Sequence, residues 1–449
     1  MQIGSPALVC RTSGLRKLLG RKTQYIAMKP LLNVKNVGPI KDISIDINRI
    51  NLFIGPQSSG KSTLAKLISF CQWLEKDVVM HQGVKHIDSE YLGNNLRGYH
   101  KLAFSLDNSS RIEYKSSIIS FSYRSADDFD IEPLADLTKV KIGKITYVPS
   151  ERNYVAIPHI STLTMEDNYV RAHIFDWLRI RSKFTKSNPV DILGLAKYYY
   201  DSTRGDIIVI EGGKEITLDT ASSGLQAAVP LLVFLTYGSD WIFHHEQDIS
   251  FEKYSRIQKL LLGYMTNIDD EDILEEGISR KSIKDSLEYI IDNFKKDEGN
   301  KKRIDLLSGA SDFIYNISKP HFSSFIIEEP EENLFPATQY ALVKHIFKML
   351  DNINENRLVI TTHSPYVLTA VNNHILAGNI ISEGKLSETK VLETGGLPSY
   401  LNYDDINAFV IRDGRVVSIK DEESRLISAD LIDAASEDIN NDFDSLLQL

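Results

Sequence analysis

Four short stretches carry residue types that together suit a polyphosphate. Gly55-Pro56-Gln57-Ser58-Ser59-Gly60-Lys61-Ser62 fits the pattern Gly-x4-Gly-Lys-Ser in full, and Thr63 follows it. At this spacing the backbone N–H groups of a loop and of the next helix N-terminus surround phosphate oxygens. The lysine reaches the β- and γ-phosphates, and the serine hydroxyl binds Mg²⁺. Phe325-Ile326-Ile327-Glu328-Glu329-Pro330 delivers two adjacent carboxylates at the end of an apolar run. Such a pair divides the work: Glu328 holds the Mg²⁺ shell, and Glu329 orients or deprotonates an attacking water. Leu358-Val359-Ile360-Thr361-Thr362-His363 ends a second apolar run in hydroxyls and an imidazole suited to a γ-phosphate. Ala221-Ser222-Ser223-Gly224 is the least specific of the four, because serine caps open many helices. A helix start does favour anions, and this one lies between the glycine-rich loop and the paired acids.

These residues need particular elements to hold them. Ile50 to Ile54 is a short apolar strand that ends at Gly55. Thr63, Leu64, Leu67, Ile68, Cys71 and Leu74 then recur at helical spacing, so the loop sits between a strand and a helix. Phe325–Ile327 and Leu358–Thr361 read as buried strands flanking a helix over Thr338–Leu350. That alternation implies an α/β fold with a parallel sheet, whose strand ends are where ligands collect. Ile43, Ile45 and Ile47 alternate with polar residues, and Arg111–Tyr114, Ile118–Tyr123 and Ile145–Val148 are further strand-like pieces. Residues 153–205 read as largely helical, followed by a hairpin around Gly212-Gly213 and a helix that starts after Ser222-Ser223 and runs through Leu225–Tyr237.

The bulk properties set limits. The formal charge is −10, from 51 Lys and Arg against 61 Asp and Glu, which excludes a surface that is basic all round but leaves room for a local basic patch. The two cysteines, Cys10 and Cys71, have no Cys or His at ligand spacing, so neither a disulfide framework nor a structural zinc is expected. No apolar run approaches the roughly 20 residues that span a bilayer, and the expected location is cytoplasmic with no membrane partner. No cluster of metal-ligating residues suited to a nuclease stands out beyond the phosphate site. The Lys295–Arg303 cluster is interrupted by acids and reads as a solvated loop.

In this order the four stretches resemble the ABC-type ATPases, the group that includes RecF, the SMC heads and the OLD proteins. The likeness covers residues 31–70, 145–152, 218–240 and 323–375; Ile145–Arg152 also resembles a strand-end segment of the OLD-like branch. It implies an ABC-type P-loop NTPase head, with a mixed sheet, an antiparallel β subdomain and a helical insertion. It further implies ATP and Mg²⁺, and two chains paired head to tail, a unit that a higher oligomer could repeat. Gly55 to Thr63 of one chain would face Ser222, Ser223 and Gly224 of the other, with Lys61, Glu329 and His363 catalytic and Ser62 and Glu328 on the metal. Glu328 departs from the aspartate usual at its position. There is no long heptad coiled coil as in an SMC protein, no Leu-Ser-Gly-Gly-Gln of a transporter head, and too few residues after His363 for a Toprim domain. What remains resembles the stand-alone ATPase subunits of anti-phage systems such as Septu, PARIS and certain retrons, which hold or release a nuclease or toxin effector. The alternative is a RecF-like repair ATPase binding duplex DNA.

The expected organisation is a basic arm or upstream extension (1–27), an N-terminal ATPase lobe (28–152), a mostly helical insertion (153–217) and a signature-helix region (218–249). A charged helical insertion (250–322), a C-terminal ATPase lobe (323–427) and an acidic amphipathic helix (428–449) complete it.

Overall fold

The computed structural model describes residues 29–245 and 312–428, except Leu163, Asn352, Asn354 and Lys385. The expectations for residues 1–27, for most of 250–322 with its lysine cluster, and for the C-terminal helix lie outside the described residues.

The first strands form an antiparallel sheet. β1 (Leu31–Val37), β2 (Ile40–Asp46), β4 (Leu106–Lys115), β5 (Ile119–Ser125) and β6 (Asp128–Pro133) stand in the order β2-β1-β4-β5-β6. Period-two alternation explains it: Val34, Ile43, Ile45, Ile112 and Phe121 point into one core while their neighbours meet solvent.

The central sheet is mixed. β3 (Ile50–Ile54), β7 (Gly143–Val148), β12 (Phe322–Glu328), β13 (Arg357–Thr362), β14 (Ile406–Arg412) and β15 (Arg415–Ser418) take the order β15-β14-β3-β13-β12-β7. Every neighbour pair from β14 to β7 is parallel, and only β15 runs antiparallel, at an edge. Both faces are covered. Phe53, Ile326, Val359 and Ile411 pack toward α1 (Lys61–His81) and the antiparallel sheet. Leu52, Ile327, Leu358 and Ile360 pack on the opposite side with α3 (Ser223–Thr236), α4 (Pro336–Leu350) and α5 (Pro365–Ser382). Burial on both faces is why these strands read as continuous apolar runs.

Residues 153–217 correct the expectation of a mostly helical insertion. They hold one longer helix, α2 (Tyr169–Arg181), and then a four-stranded antiparallel sheet, β11-β10-β9-β8. Its strands are β8 (Val190–Ile192), β9 (Ala196–Asp201), β10 (Gly205–Val209) and β11 (Glu215–Thr217). Three of them have five residues or fewer, too short to show a period, and the signals that decide them are local. Tyr198, Tyr199 and Ile207-Ile208 favour strand, while Gly194 and Gly205 make turns at φ 72° and 84°. Trp177 is fully buried against Tyr198, with ring centroids 5.5 Å apart.

A second correction concerns apolar length. The helical stretch Ser223–His244 runs 22 residues and is long and apolar enough to cross a membrane, although 72% of its most apolar window is buried inside the protein.

α5 comes so close to the segment after it that a Cβ on Gly378 would stand 2.0 Å from the Leu401 carbonyl oxygen. Gly378→Ala is therefore expected to destabilise the chain by roughly 1–3 kcal/mol, as overpacking does. Urea denaturation checks this, and an unchanged midpoint would refute it.

Candidate active site

The phosphate-type loop is built by one strand end and one helix start. β3 is buried at all five positions and ends at Gly55, where a Cβ would lie 2.4 Å from the Ile411 carbonyl oxygen. Only glycine fits there. The loop then turns through Ser58 at φ 60° and Gly60 at φ 106°, and α1 begins at Lys61 with no side-chain cap. The first amides of a 21-residue helix are thus left to an anion.

Lys61 is only 5% exposed. Its Nζ donates to the carbonyl oxygens of Gly55 at 2.9 Å and Pro56 at 2.8 Å, and lies 3.4 Å from His363 Nδ1. Burial holds the amine below the usual lysine range, against the pull of Glu329, Glu331 and Glu328.

The acids arrive on β12, between β13 and β7. Glu328 is 2% exposed and accepts a short hydrogen bond from the Tyr147 hydroxyl, with the Ser150 N–H at 3.4 Å from its other oxygen. Burial, and then the Glu328 charge, push the Tyr147 phenol well above its usual range, so it stays a donor. Glu329 leaves the strand at φ 43°, a left-handed conformation rare for a residue with a side chain. Its N–H donates to the Thr361 carbonyl at 2.8 Å.

His363 sits between lysine and acid, with Nε2 2.8 Å from Glu329 Oε1. Lys61 can only donate, so Nδ1 accepts and Nε2 carries the proton toward the carboxylate. The result is one line, Lys61–His363–Glu329, across three adjacent parallel strand ends.

Ser222 and Ser223 are exposed at the start of α3, and Ser222 makes no side-chain cap bond. A Cβ on Gly224 would lie 3.0 Å from the Asn333 carbonyl oxygen, so the glycine lets this helix start lie close against the segment after the acids. Among the described residues no hydrogen bond joins Ser222 or Ser223 to the loop 55–63. The fold thus gathers the residues of the loop, the acids and His363, while the serines open a helix packed against the segment that follows the acids.

Two participants were not assigned roles from sequence. Glu331 Oε1 accepts from the Thr362 hydroxyl and the His363 N–H, both at 2.7 Å, and fixes the histidine turn. The signal was the acid repeat Glu328-Glu329-Pro330-Glu331-Glu332, which has more carboxylates than a metal and a water need. Arg152, at the end of the Ile145–Arg152 segment, is fully buried beside the acids.

The site suits ATP with Mg²⁺. Ser59 Oγ and Thr361 Oγ1 are buried without a hydrogen-bond partner, which is costly unless a ligand supplies one. Ser62 and Glu328 offer hard oxygen donors, the kind Mg²⁺ selects. Elsewhere the fold gathers Asp77, His81 and His86, whose ligand-type atoms lie within 4.8 Å of one another, a cluster not anticipated from spacing. Asp77 Oδ2 there already accepts from the Tyr91 hydroxyl at 2.6 Å.

No protein-family model matches the chain, and no curated protein matches it. Among solved structures it is similar to an SMC head domain from Thermotoga maritima, at 11% identity over 87% of this chain and 97% of that one, with a TM-score of 0.34. It is also similar to an SMC head bound to the C-winged helix domain of ScpA (10% identity, 89% and 99% covered, TM-score 0.36). A third is the recombination mediator protein RecF-ATPrS of the RecFOR pathway (12% identity, 88% and 99% covered, TM-score 0.27).

Proposed function

We propose that this chain is an ABC-type ATPase, hydrolysing ATP between two copies paired head to tail and so regulating a separate effector, a nuclease or toxin, in an anti-phage defence complex. The observation that carries the ATPase reading is the line Lys61–His363–Glu329 beside a P-loop. The defence role rests on the sequence resemblance.

In this reading Gly55 to Thr63 wrap the phosphates with backbone N–H groups, and Lys61 turns its ammonium from loop carbonyls to the β- and γ-phosphates. Ser62 and Glu328 would hold Mg²⁺, which when bound neutralises phosphate charge. Glu329 takes the proton of the attacking water at its carboxylate. His363 orients that carboxylate through Nε2–H and releases it when the γ-phosphate offers another acceptor. Ser222 and Ser223, exposed at a helix start, and Gly224 behind them meet the γ-phosphate held by the second copy.

The pairing has its own test. Ser223→Arg puts a long cation where two copies would meet. It is expected to bind ATP within about twofold of wild type and to hydrolyse it at least tenfold more slowly. Fluorescent-nucleotide titration and a phosphate-release assay check this; normal turnover would refute the composite site.

For the larger reading, Glu329→Gln protein is tagged and recovered from its host with ATP and Mg²⁺, and its companions are identified by mass spectrometry. A stoichiometric nuclease or toxin supports the defence complex. Recovery with duplex DNA and repair proteins, in a salt-sensitive way, supports the RecF-like alternative instead.

A further inference from the structure

Arg152 has no part in the phosphate chemistry, yet it is a fully buried cation in the middle of the site. Its Nε donates to the Ala227 carbonyl on α3 at 3.1 Å. Its Nη1 donates to the Glu328 carbonyl at 2.9 Å and to that of Pro149 at 3.4 Å, and its Nη2 donates to the Glu329 carbonyl at 2.8 Å. The Glu332 carboxylate lies 3.5 Å from Nη1 as the nearest counter-charge.

A guanidinium is planar, and its N–H directions are fixed. It can satisfy three elements at once only while they keep one mutual placement. Moving α3 against β12 would strand a buried charged donor, a costly event. The bonds also fall where the backbone is strained. Glu329, at φ 43°, is held on one side by its N–H to Thr361 and on the other by Arg152 on its carbonyl.

We propose that Arg152 is a positioning residue that couples the helix start Ser222–Gly224 to Glu329 of the same chain. The inference rests on the ATPase reading above. In a head-to-tail pair the two ends of this link serve different nucleotides: α3 meets the γ-phosphate held by the partner, and Glu329 acts on the chain's own. One chain's grip on its partner's nucleotide therefore sets the aim of its own carboxylate, and the two sites fire cooperatively.

Arg152→Lys keeps the charge but loses the fork. Expected are a lowered melting temperature with the chain still folded, an ATP affinity close to wild type, a kcat at least tenfold lower, and a Hill coefficient for ATP that falls toward 1. Unchanged kcat overturns the proposal, and so does a joint fall of kcat, affinity and melting temperature, which would make Arg152 a plain structural residue. Hydrogen exchange gives a second measurement that does not depend on Arg152→Lys folding. In Ser223→Arg, chosen to prevent pairing, ATP should still slow exchange at the amides of residues 226–229 and 231; protection confined to wild type would overturn the coupling. A wild type that binds no ATP would overturn the ATPase reading itself.

Discussion

Glu329→Gln is expected to bind ATP as wild type does and to lose turnover by roughly 10²–10⁴-fold, the usual contribution of a positioned general base. Glutamine keeps the shape of the side chain and an oxygen that can still accept from His363 Nε2, 2.8 Å away in the native site. It removes the basic oxygen that, in the proposed mechanism, takes the water's proton. With hydrolysis blocked and binding intact, the variant should accumulate as an ATP-bound pair. Rapid-quench turnover and light scattering with ATP check both halves. Near-normal hydrolysis would move the base to another acid, of which Glu331 is the closest rival through its bonds to Thr362 and His363.

Lys61→Ala should fail one step earlier. The ammonium makes charge-assisted bonds worth about 1.5–3 kcal/mol each. Losing two of them to the phosphates weakens ATP roughly 10²–10⁴-fold, at about 1.4 kcal/mol per tenfold. The same nitrogen draws in the loop through the Gly55 and Pro56 carbonyls, so the variant also loses the constraint that shapes the cradle. Calorimetric titration with ATP checks the loss, and affinity within threefold of wild type would show that the backbone amides alone hold the nucleotide. The two variants together separate binding from chemistry.

The site was legible in the sequence where function forces spacing. Gly55, Gly60 and Lys61 stand at the fixed intervals that a loop, a helix start and one side chain need in order to close around the phosphates of the proposed nucleotide. Glu328 and His363 announced themselves because each ends an apolar run long enough to cross a sheet buried on both faces. Four strands of the central sheet, β3, β7, β12 and β13, were legible as short apolar runs, whereas β14 and β15 were not read. What the sequence hid was of two kinds. The strands of residues 190–201 are too short for periodicity and depend on turns at Gly194 and Gly205, so a Tyr-rich, Arg-rich stretch passed for helix, whereas the hairpin around Gly212-Gly213 was read and is formed by β10 and β11. Arg152 and Glu331 work through backbone atoms, gripping carbonyls and N–H groups that every residue has. The surplus of acids in 328–332 marks Glu331 as worth a role, but no pattern of side-chain types reports the bonds themselves; only the folded chain brings the partners into view.

The central sheet has a further consequence for how the molecule comes apart. Phe53, Ile326 and Val359 on one face, and Leu52, Ile327 and Ile360 on the other, belong to different cores that share the same five parallel strands. Peeling away either layer would lay bare one side of those strands to water while the other stayed dry, and at about 25 cal/mol per Å² of apolar surface that half-open state is heavily penalised. The two layers are therefore bound to melt together, despite their separate sheets and folds. Lys61, Glu329 and His363 stand at the ends of this common wall, so heat should abolish catalysis and structure in one step.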